Sequence, residues 1–140
     1  MNTITARMAM FHSRREQWRS ARAFVEAFCT EAGLPKPVCL KASLVLEELF
    51  LNTVKHGHKG GSDAPVWIRL SASGGRMSLS YEDRASPFNP FPPDREAMLK
   101  KIERDRTEGG LGVILANELA DSARYDYLFG RNRIQLTLED

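Results

Sequence analysis

Hydrophobic and polar positions alternate with different periods along this chain, and each change of period marks a new element. Trp18, Ala21, Val25, Phe28 and Cys29 recur at helical spacing and predict a helix with one apolar face. Ser13 reads as its N-cap, the helix runs to about Ala32, and Gly33 suits the C′ position. LPKP follows as a connector, with Pro37 in the first turn of a second helix. That helix has another character. Leu44, Val45, Leu46, Leu49, Phe50, Leu51 and Val54 cover most of its circumference, and a helix apolar nearly all round is a buried one. It ends at Gly57, and GHKGGSDAP reads as a flexible loop. A period of two then takes over. VWIRLSAS and RMSLSYED, separated by a glycine pair, predict a hairpin of Val66 to Ala72 with Arg76 to Glu82. Thr3 to Met10 alternates loosely and predicts a short strand. Prolines in SPFNPFPPD forbid regular structure. EAMLKKIERDRTE predicts a short charged helix and GGLGVILANELAD an apolar helix opened by glycines. ARYDYLF and NRIQLTLE close the chain as two strands, joined by a turn at Gly130-Arg131 or Arg131-Asn132.

Strands therefore come in antiparallel pairs and helices cluster apart from them. This order predicts an α+β two-layer sandwich, with helices on one face of a mostly antiparallel sheet. The 140 residues are enough for one domain with a real core, spanning 1–140, and too few for two.

Composition narrows the function classes. With 42% hydrophobic and 27% charged residues the chain is ordinary globular protein. A net charge of +2, with basic residues scattered, argues against direct nucleic-acid binding. No apolar run is long enough to span a bilayer, and the N-terminus lacks the apolar core of a signal peptide. A cytoplasmic protein is expected. Cys29 and Cys39 show neither metal-ligand nor CxxC spacing and read as small buried residues with reduced thiols. His12, His56 and His58 have no metal-like spacing; a helix-end role favoured by the dipole is the better reading.

Three segments carry candidate chemistry. In LEELFLNTVKHGH, Glu48 and Asn52 lie four apart and share one side of the second helix. An amide oxygen can ligate Mg²⁺, and a carboxylate one turn away can accept a proton from a water or an alcohol. An ion pair or amide hydrogen bond to a neighbouring element is the structural alternative. Glu47 points roughly a third of a turn away and reads as a surface or salt-bridge residue. Asp83 ends a strand, where its carboxylate can accept from an exocyclic amine or simply form a turn. Glu108 to Gly112, EGGLG, offers a flexible backbone before a helix N-terminus, a cradle for phosphate or an ordinary loop. No Lys-Ser/Thr follows, so it is not a Walker loop.

Taken together and in order, these segments resemble the GHKL ATPase superfamily of gyrase, histidine kinases, the mismatch-repair ATPase and the heat-shock chaperone of that fold. Within it the chain looks most like the small RsbW-type anti-sigma-factor serine/threonine kinases, over nearly its full length. The helical Glu-x-x-x-Asn box is Glu48-Leu49-Phe50-Leu51-Asn52, followed by His56. The Asp-x-Gly-x-Pro-Phe box is Asp83-Arg84-Ala85-Ser86-Pro87-Phe88, and the glycine box opening a helix is Gly109-Gly110-Leu111-Gly112. GRNRIQLTL resembles the final strand. The resemblance implies a mostly antiparallel mixed sheet, ATP and Mg²⁺ as cofactors, Glu48 as general base and Asn52 as metal ligand. It implies that Asp83, with Pro87 and Phe88 behind it, reads the adenine amino group, and that Gly109, Gly110, Leu111 and Gly112 wrap the phosphates. Asn89 to Glu108 would be a lid whose Arg104 and Arg106 are candidates for the γ-phosphate. Ala85 stands where the family has glycine; its methyl can crowd the nucleotide or exclude a positive φ.

The implied activity is phosphorylation of a serine on a small STAS-domain anti-anti-sigma protein, with a sigma factor or other regulator as alternating partner and a homodimer as the assembly. The sequence shows no phosphoacceptor-helix module and no transducer domain, which favours a stand-alone kinase or binding switch. Ala85 and the proline-rich PFNPFPPD motivate the second reading, a non-catalytic ATP-binding switch that sequesters a partner.

Overall fold

The computed structural model describes residues 5–90 and 120–140. Strand β1 covers Thr5–His12 and is followed by a 3-10 turn, Arg15–Gln17, and helix α1, Trp18–Ala32. Helix α2 covers Lys36–Asn52 and runs on into a single π turn, Thr53–Gly57. Two hairpins complete the described chain: β2 Pro65–Ser73 with β3 Arg76–Asp83, and β4 Ser122–Leu128 with β5 Arg131–Leu138.

The five strands form one sheet in the order β1-β2-β3-β5-β4. Every pairing among the described residues is antiparallel. Alternation decides which side faces the helices. Val66, Ile68, Leu70 and Ala72 of β2, Met77, Leu79 and Tyr81 of β3, and Ile134, Leu136 and Leu138 of β5 are all buried. They meet Ala21, Val25 and Phe28 of α1 and Val38, Ala42, Val45, Leu46, Leu49 and Phe50 of α2 in one core. The opposite sheet face carries Ser71, Ser78, Ser80, Arg133 and Gln135 between the buried positions, the one-sided pattern common in antiparallel sheets. The two-layer α+β sandwich expected from the order of elements is what forms.

The inward phase of β3 and β5 ends on polar residues. Asp83 and Asn132 face each other in the register, and both are buried, at 6% and 4% exposure. A buried carboxylate and amide side by side need partners, and that need shapes the site described below.

Several boundaries differ from expectation for identifiable reasons. Ser13 does not cap α1. Its amide and its hydroxyl both donate to the Ala64 carbonyl at 2.9 Å, and its own carbonyl accepts from Ser62 N–H at 2.9 Å. The serine closes the long loop before β2 instead, and α1 is entered through the 3-10 turn with no side-chain cap. Gly33 does stop α1, at φ 63°, with the Leu34 amide returning to the Cys29 carbonyl. β1 runs to His12, beyond the expected Met10, and the hairpin strands extend to Pro65, Ser73 and Asp83. The last turn is neither Gly130-Arg131 nor Arg131-Asn132. Leu128 pairs with Arg131, which leaves Phe129 and Gly130 as the loop, both left-handed at φ 53° and 75°. Two-residue hairpin turns of this kind require positive φ at both positions. Glycine meets that requirement freely, whereas a phenylalanine in the first position gives no turn signal in sequence.

Candidate functional site

Helix α2 brings Glu48 and Asn52 onto one side, as their spacing requires, and both line a cleft of about 410 Å³ with Arg15, Lys55 and Gly60. A second cavity, about 250 Å³, lies between the end of α2, the ends of β3 and β5, and the segment after β3. Leu49, Tyr81 and Ile134 give it apolar walls, and Thr53, Asp83 and Asn132 supply its polar groups. Ala85, Pro87 and Phe88 close one side. Asn52 lines both spaces, so one side chain stands where they adjoin. Glu47 lines neither of the two.

Asp83 is held from three directions. Its Oδ2 accepts the Thr53 hydroxyl at 2.7 Å, and its Oδ1 accepts Asn132 Nδ2–H at 2.9 Å and the Ala85 amide at 3.1 Å. The direction of the neighbouring hydrogens follows. Thr53 has one hydroxyl hydrogen; given to the carboxylate, it leaves the Thr53 oxygen to accept from Tyr81 O–H, 2.5 Å away. The Leu49 carbonyl also lies within reach of both hydroxyls, at 3.0 Å from Thr53 and 3.2 Å from Tyr81, but the shorter contacts run from Tyr81 to Thr53 to Asp83. Burial, reinforced by the negative charge of Asp83, pushes the Tyr81 phenol well above its usual range and keeps it a donor. Tyr125 is also raised, chiefly by burial.

Asn132 holds the other half of the site. Its Nδ2 also donates to the Ser86 and Ala85 carbonyls at 3.0 and 3.1 Å. Its Oδ1 accepts Tyr125 O–H at 2.6 Å and the Phe88 amide at 3.0 Å. The amide orientation is fixed by this set, since exchanging O and N would face an oxygen to three acceptors. One side chain thus ties the whole of 83–88 to the sheet.

Ala85 answers the concern its methyl raised. Positive φ among the described non-glycine residues occurs only at Lys59 and Phe129, so the backbone at Ala85 needs no glycine. The methyl is buried, at 8% exposure, and it packs over Gly57. A Cβ built on Gly57 would stand 2.7 Å from the Ala85 Cβ. The chain has a methyl on the loop and a bare backbone on the helix end beneath it.

Of the expected site residues, Glu48, Asn52, Asp83, Pro87 and Phe88 converge on the two adjoining spaces. Arg104, Arg106, Gly109, Gly110, Leu111 and Gly112 lie outside the described residues, as do most of the two helices expected there. Thr53, Tyr81, Tyr125, Asn132 and Gly57 were not singled out in sequence. For Asn132 a signal existed: it occupies the inward phase set by Ile134, Leu136 and Leu138.

The family model for the histidine kinase-like ATPase domain matches residues 11–138. The chain belongs to the histidine kinase-like ATPase domain family. No curated protein matches it. Among solved structures, the RsbU and RsbW domains of Rv1364c from Mycobacterium tuberculosis share the fold, with a TM-score of 0.67 at 18% identity over 96% of this chain. The chain spans 32% of the length of that protein.

ATP is the nucleotide this family implies, and the residues present fit it. An apolar slot with a buried, oriented carboxylate at its floor suits a flat base bearing an amine. Among the described residues no three His, Cys, Asp or Glu side chains converge on one point. Asn52 could offer one oxygen to Mg²⁺, an ion that commonly takes few protein ligands and completes its shell with phosphate and water. No helix among the described residues is long and apolar enough to cross a membrane.

Proposed function

We propose that this ATPase domain is an ATP- and Mg²⁺-dependent serine/threonine protein kinase of the anti-sigma-factor type. It phosphorylates a serine of a STAS-domain anti-anti-sigma protein and exchanges between that substrate and a sigma factor or other regulator. The observation that carries the reading is the pair of adjoining spaces joined at Asn52. Asp83 would receive the base in the smaller space, Asn52 would offer an oxygen to Mg²⁺ where the two adjoin, and Glu48 would accept the proton of the acceptor hydroxyl in the cleft. Phosphoryl transfer needs positioning and charge neutralisation more than covalent chemistry, and this layout provides a base, a metal ligand and two cations, Arg15 and Lys55, in one cleft. The sequence supports arginines of the lid and the glycine box as further phosphate ligands. A homodimer is the proposed assembly, and the cytoplasm the proposed location.

The test separates binding from transfer. Glu48→Gln is expected to keep Mg-ATP binding and to abolish labelling of the partner; undiminished labelling removes Glu48 as the base. Asn52→Ala is expected to lose most of the thermal stabilisation by Mg-ATP that wild type shows. An equal shift in both proteins would mean the metal ligand is misassigned. The second reading, a non-catalytic ATP-dependent switch that sequesters a partner, is motivated by Ala85 at the family's glycine position and by the proline-rich PFNPFPPD that follows. Transfer of labelled phosphate to a partner at a useful rate would eliminate it.

A further inference from the structure

We infer that the sheet face turned away from the helices is a docking surface for an acidic segment of a protein partner. The inference stands apart from the nucleotide reading, because both spaces described above involve α2 and the other side of the sheet. The register lays the outward face out in rows across β2, β3, β5 and β4. Ser71, Ser78, Thr137 and Ser122 make one row, and Arg69, Ser80, Gln135 and Arg124 the next. Trp67, Glu82, Arg133 and Asp126 follow. Small hydroxyl side chains thus occupy the middle while long ones stand to either side, and a groove of about 690 Å³ results. Arg69 walls it on one side and Arg124 and Arg133 on the other. Arg131 lies over the Trp67 ring at 3.8 Å, and Arg84 approaches the same ring at 5.5 Å. Stacking uses the face of a guanidinium and leaves its in-plane N–H groups for a carboxylate.

These five arginines share the face with two carboxylates. Glu82 stands 4.0 Å from Arg131, and Asp126 serves Arg124 and Arg133 at 3.5 and 3.3 Å. Among the described residues Arg69 and Arg84 have no carboxylate partner, and the buried Nε of Arg133 has no hydrogen-bond partner. The positive excess decides among occupants. A second copy would set the same charge against itself. A nucleic acid would meet Glu82 and Asp126, and the ring that could stack on a base is already covered by Arg131. Carboxylates of a protein segment match guanidinium groups in bidentate fashion, and its backbone can bond to the hydroxyl floor. Met8 and Met10, 68% and 50% exposed, border the face beside Arg69 and Trp67. None of the five strands contains a lysine. Protein–protein contacts have this composition, rich in Met, Trp and Arg and poor in Lys.

The experiment is fluorescence anisotropy with a fluorescein-labelled peptide alternating Glu and Ser. About a dozen residues at about 3.4 Å each outreach five strands spaced about 4.8 Å apart. A peptide with Gln for Glu is the charge control, and oligothymidylate and phosphatidylserine vesicles are the competing anions. Arg69→Glu with Arg124→Glu reverses both walls of the groove. Arg19→Glu with Arg22→Glu makes the same charge change on α1, where both residues are exposed. Wild type is expected to bind the Glu peptide about tenfold or more tightly than the Gln peptide. The Arg69 and Arg124 variant is expected to lose about tenfold or more, and the Arg19 and Arg22 variant to stay within about twofold. Circular dichroism melts check folding, and Arg69→Gln with Arg124→Gln, expected to fall between, carries the test if the charge-reversed variant does not fold. Equal losses in the two charge-matched variants would mean attraction by net charge alone and overturn the inference. Failure of wild type to bind the Glu peptide overturns it too, as does tighter binding of oligothymidylate or of the vesicles than of the peptide.

Discussion

The packing of Ala85 on Gly57 makes a prediction whose sign depends on the partner residue. Gly57 does not need to be glycine for its backbone, since it is absent from the positions with positive φ. Replacing it with alanine should then stabilise the fold by about 0.4–1 kcal/mol, through reduced freedom of the unfolded chain. The obstacle is steric. The new Cβ would lie 2.7 Å from the Ala85 Cβ, where carbon pairs are comfortable at about 3.5–4.0 Å. Ala85 cannot easily retreat, because its amide is bonded to Asp83 and its carbonyl to Asn132. Overpacking of this kind costs about 1–3 kcal/mol. The net expectation for Gly57→Ala is a loss of roughly 0.5–2 kcal/mol after the entropic gain, or a fall of about 2–7 °C in Tm for a domain of this size. In an Ala85→Gly background the obstacle is gone, and the same Gly57→Ala change should raise Tm by about 1–4 °C. Thermal melts of the two single variants and the double variant, followed by far-ultraviolet circular dichroism, give the coupling directly. Equal effects of Gly57→Ala in both backgrounds would refute the contact.

Two further outcomes are expected. Phe129→Asn should raise Tm by a few degrees, because Phe129 sits at φ 53° and is 98% exposed; asparagine tolerates that conformation, and a left-handed residue with a bulky side chain costs about 1–2 kcal/mol. A fall in Tm would show that the side chain contributes to the fold. The second concerns alkaline pH. Burial raises the Cys29 thiol from 9.0 to about 12, helped by Cys39, and raises Tyr81 well above 10.0. Groups whose folded pKa exceeds the unfolded value contribute stability that is fully present below the unfolded pKa and lost as pH rises toward the folded one. Urea midpoints should therefore hold to about pH 9 and decline above it, and Cys29→Ala should flatten the first part of that decline. An identical slope in the variant would rule out the thiol as its source.

The site was legible where function sits on a short repeating pattern and hidden where it sits on register. Glu48 and Asn52 can be placed together from their spacing alone, because a helix turns a fixed amount per residue. The hairpins were legible in the same way, from a period of two. Nothing local tells that Asp83 will face Asn132, since that pairing joins β3 to a strand 49 residues later. Only the sheet order, with β5 inserted between β3 and β4, puts them opposite one another. Ser13 is not a cap for the same reason: its backbone and hydroxyl are tied to Ala64 and Ser62, about fifty residues away, and α1 starts only at Trp18, beyond a 3-10 turn.

Ala85 illustrates how a local departure is resolved by a distant residue. Read alone, a methyl at the middle of Asp83 to Phe88 suggests a crowded nucleotide pocket. In the fold its cost falls on the π turn that continues α2 and ends in Gly57. The bare helix end makes room for the methyl, so the loop can keep its approach to Asp83 and Asn132. Either residue is unremarkable in isolation. Together they let the segment after β3 lie close over the helix end while its Ala85 amide, with Thr53 and Asn132, holds the buried Asp83 carboxylate.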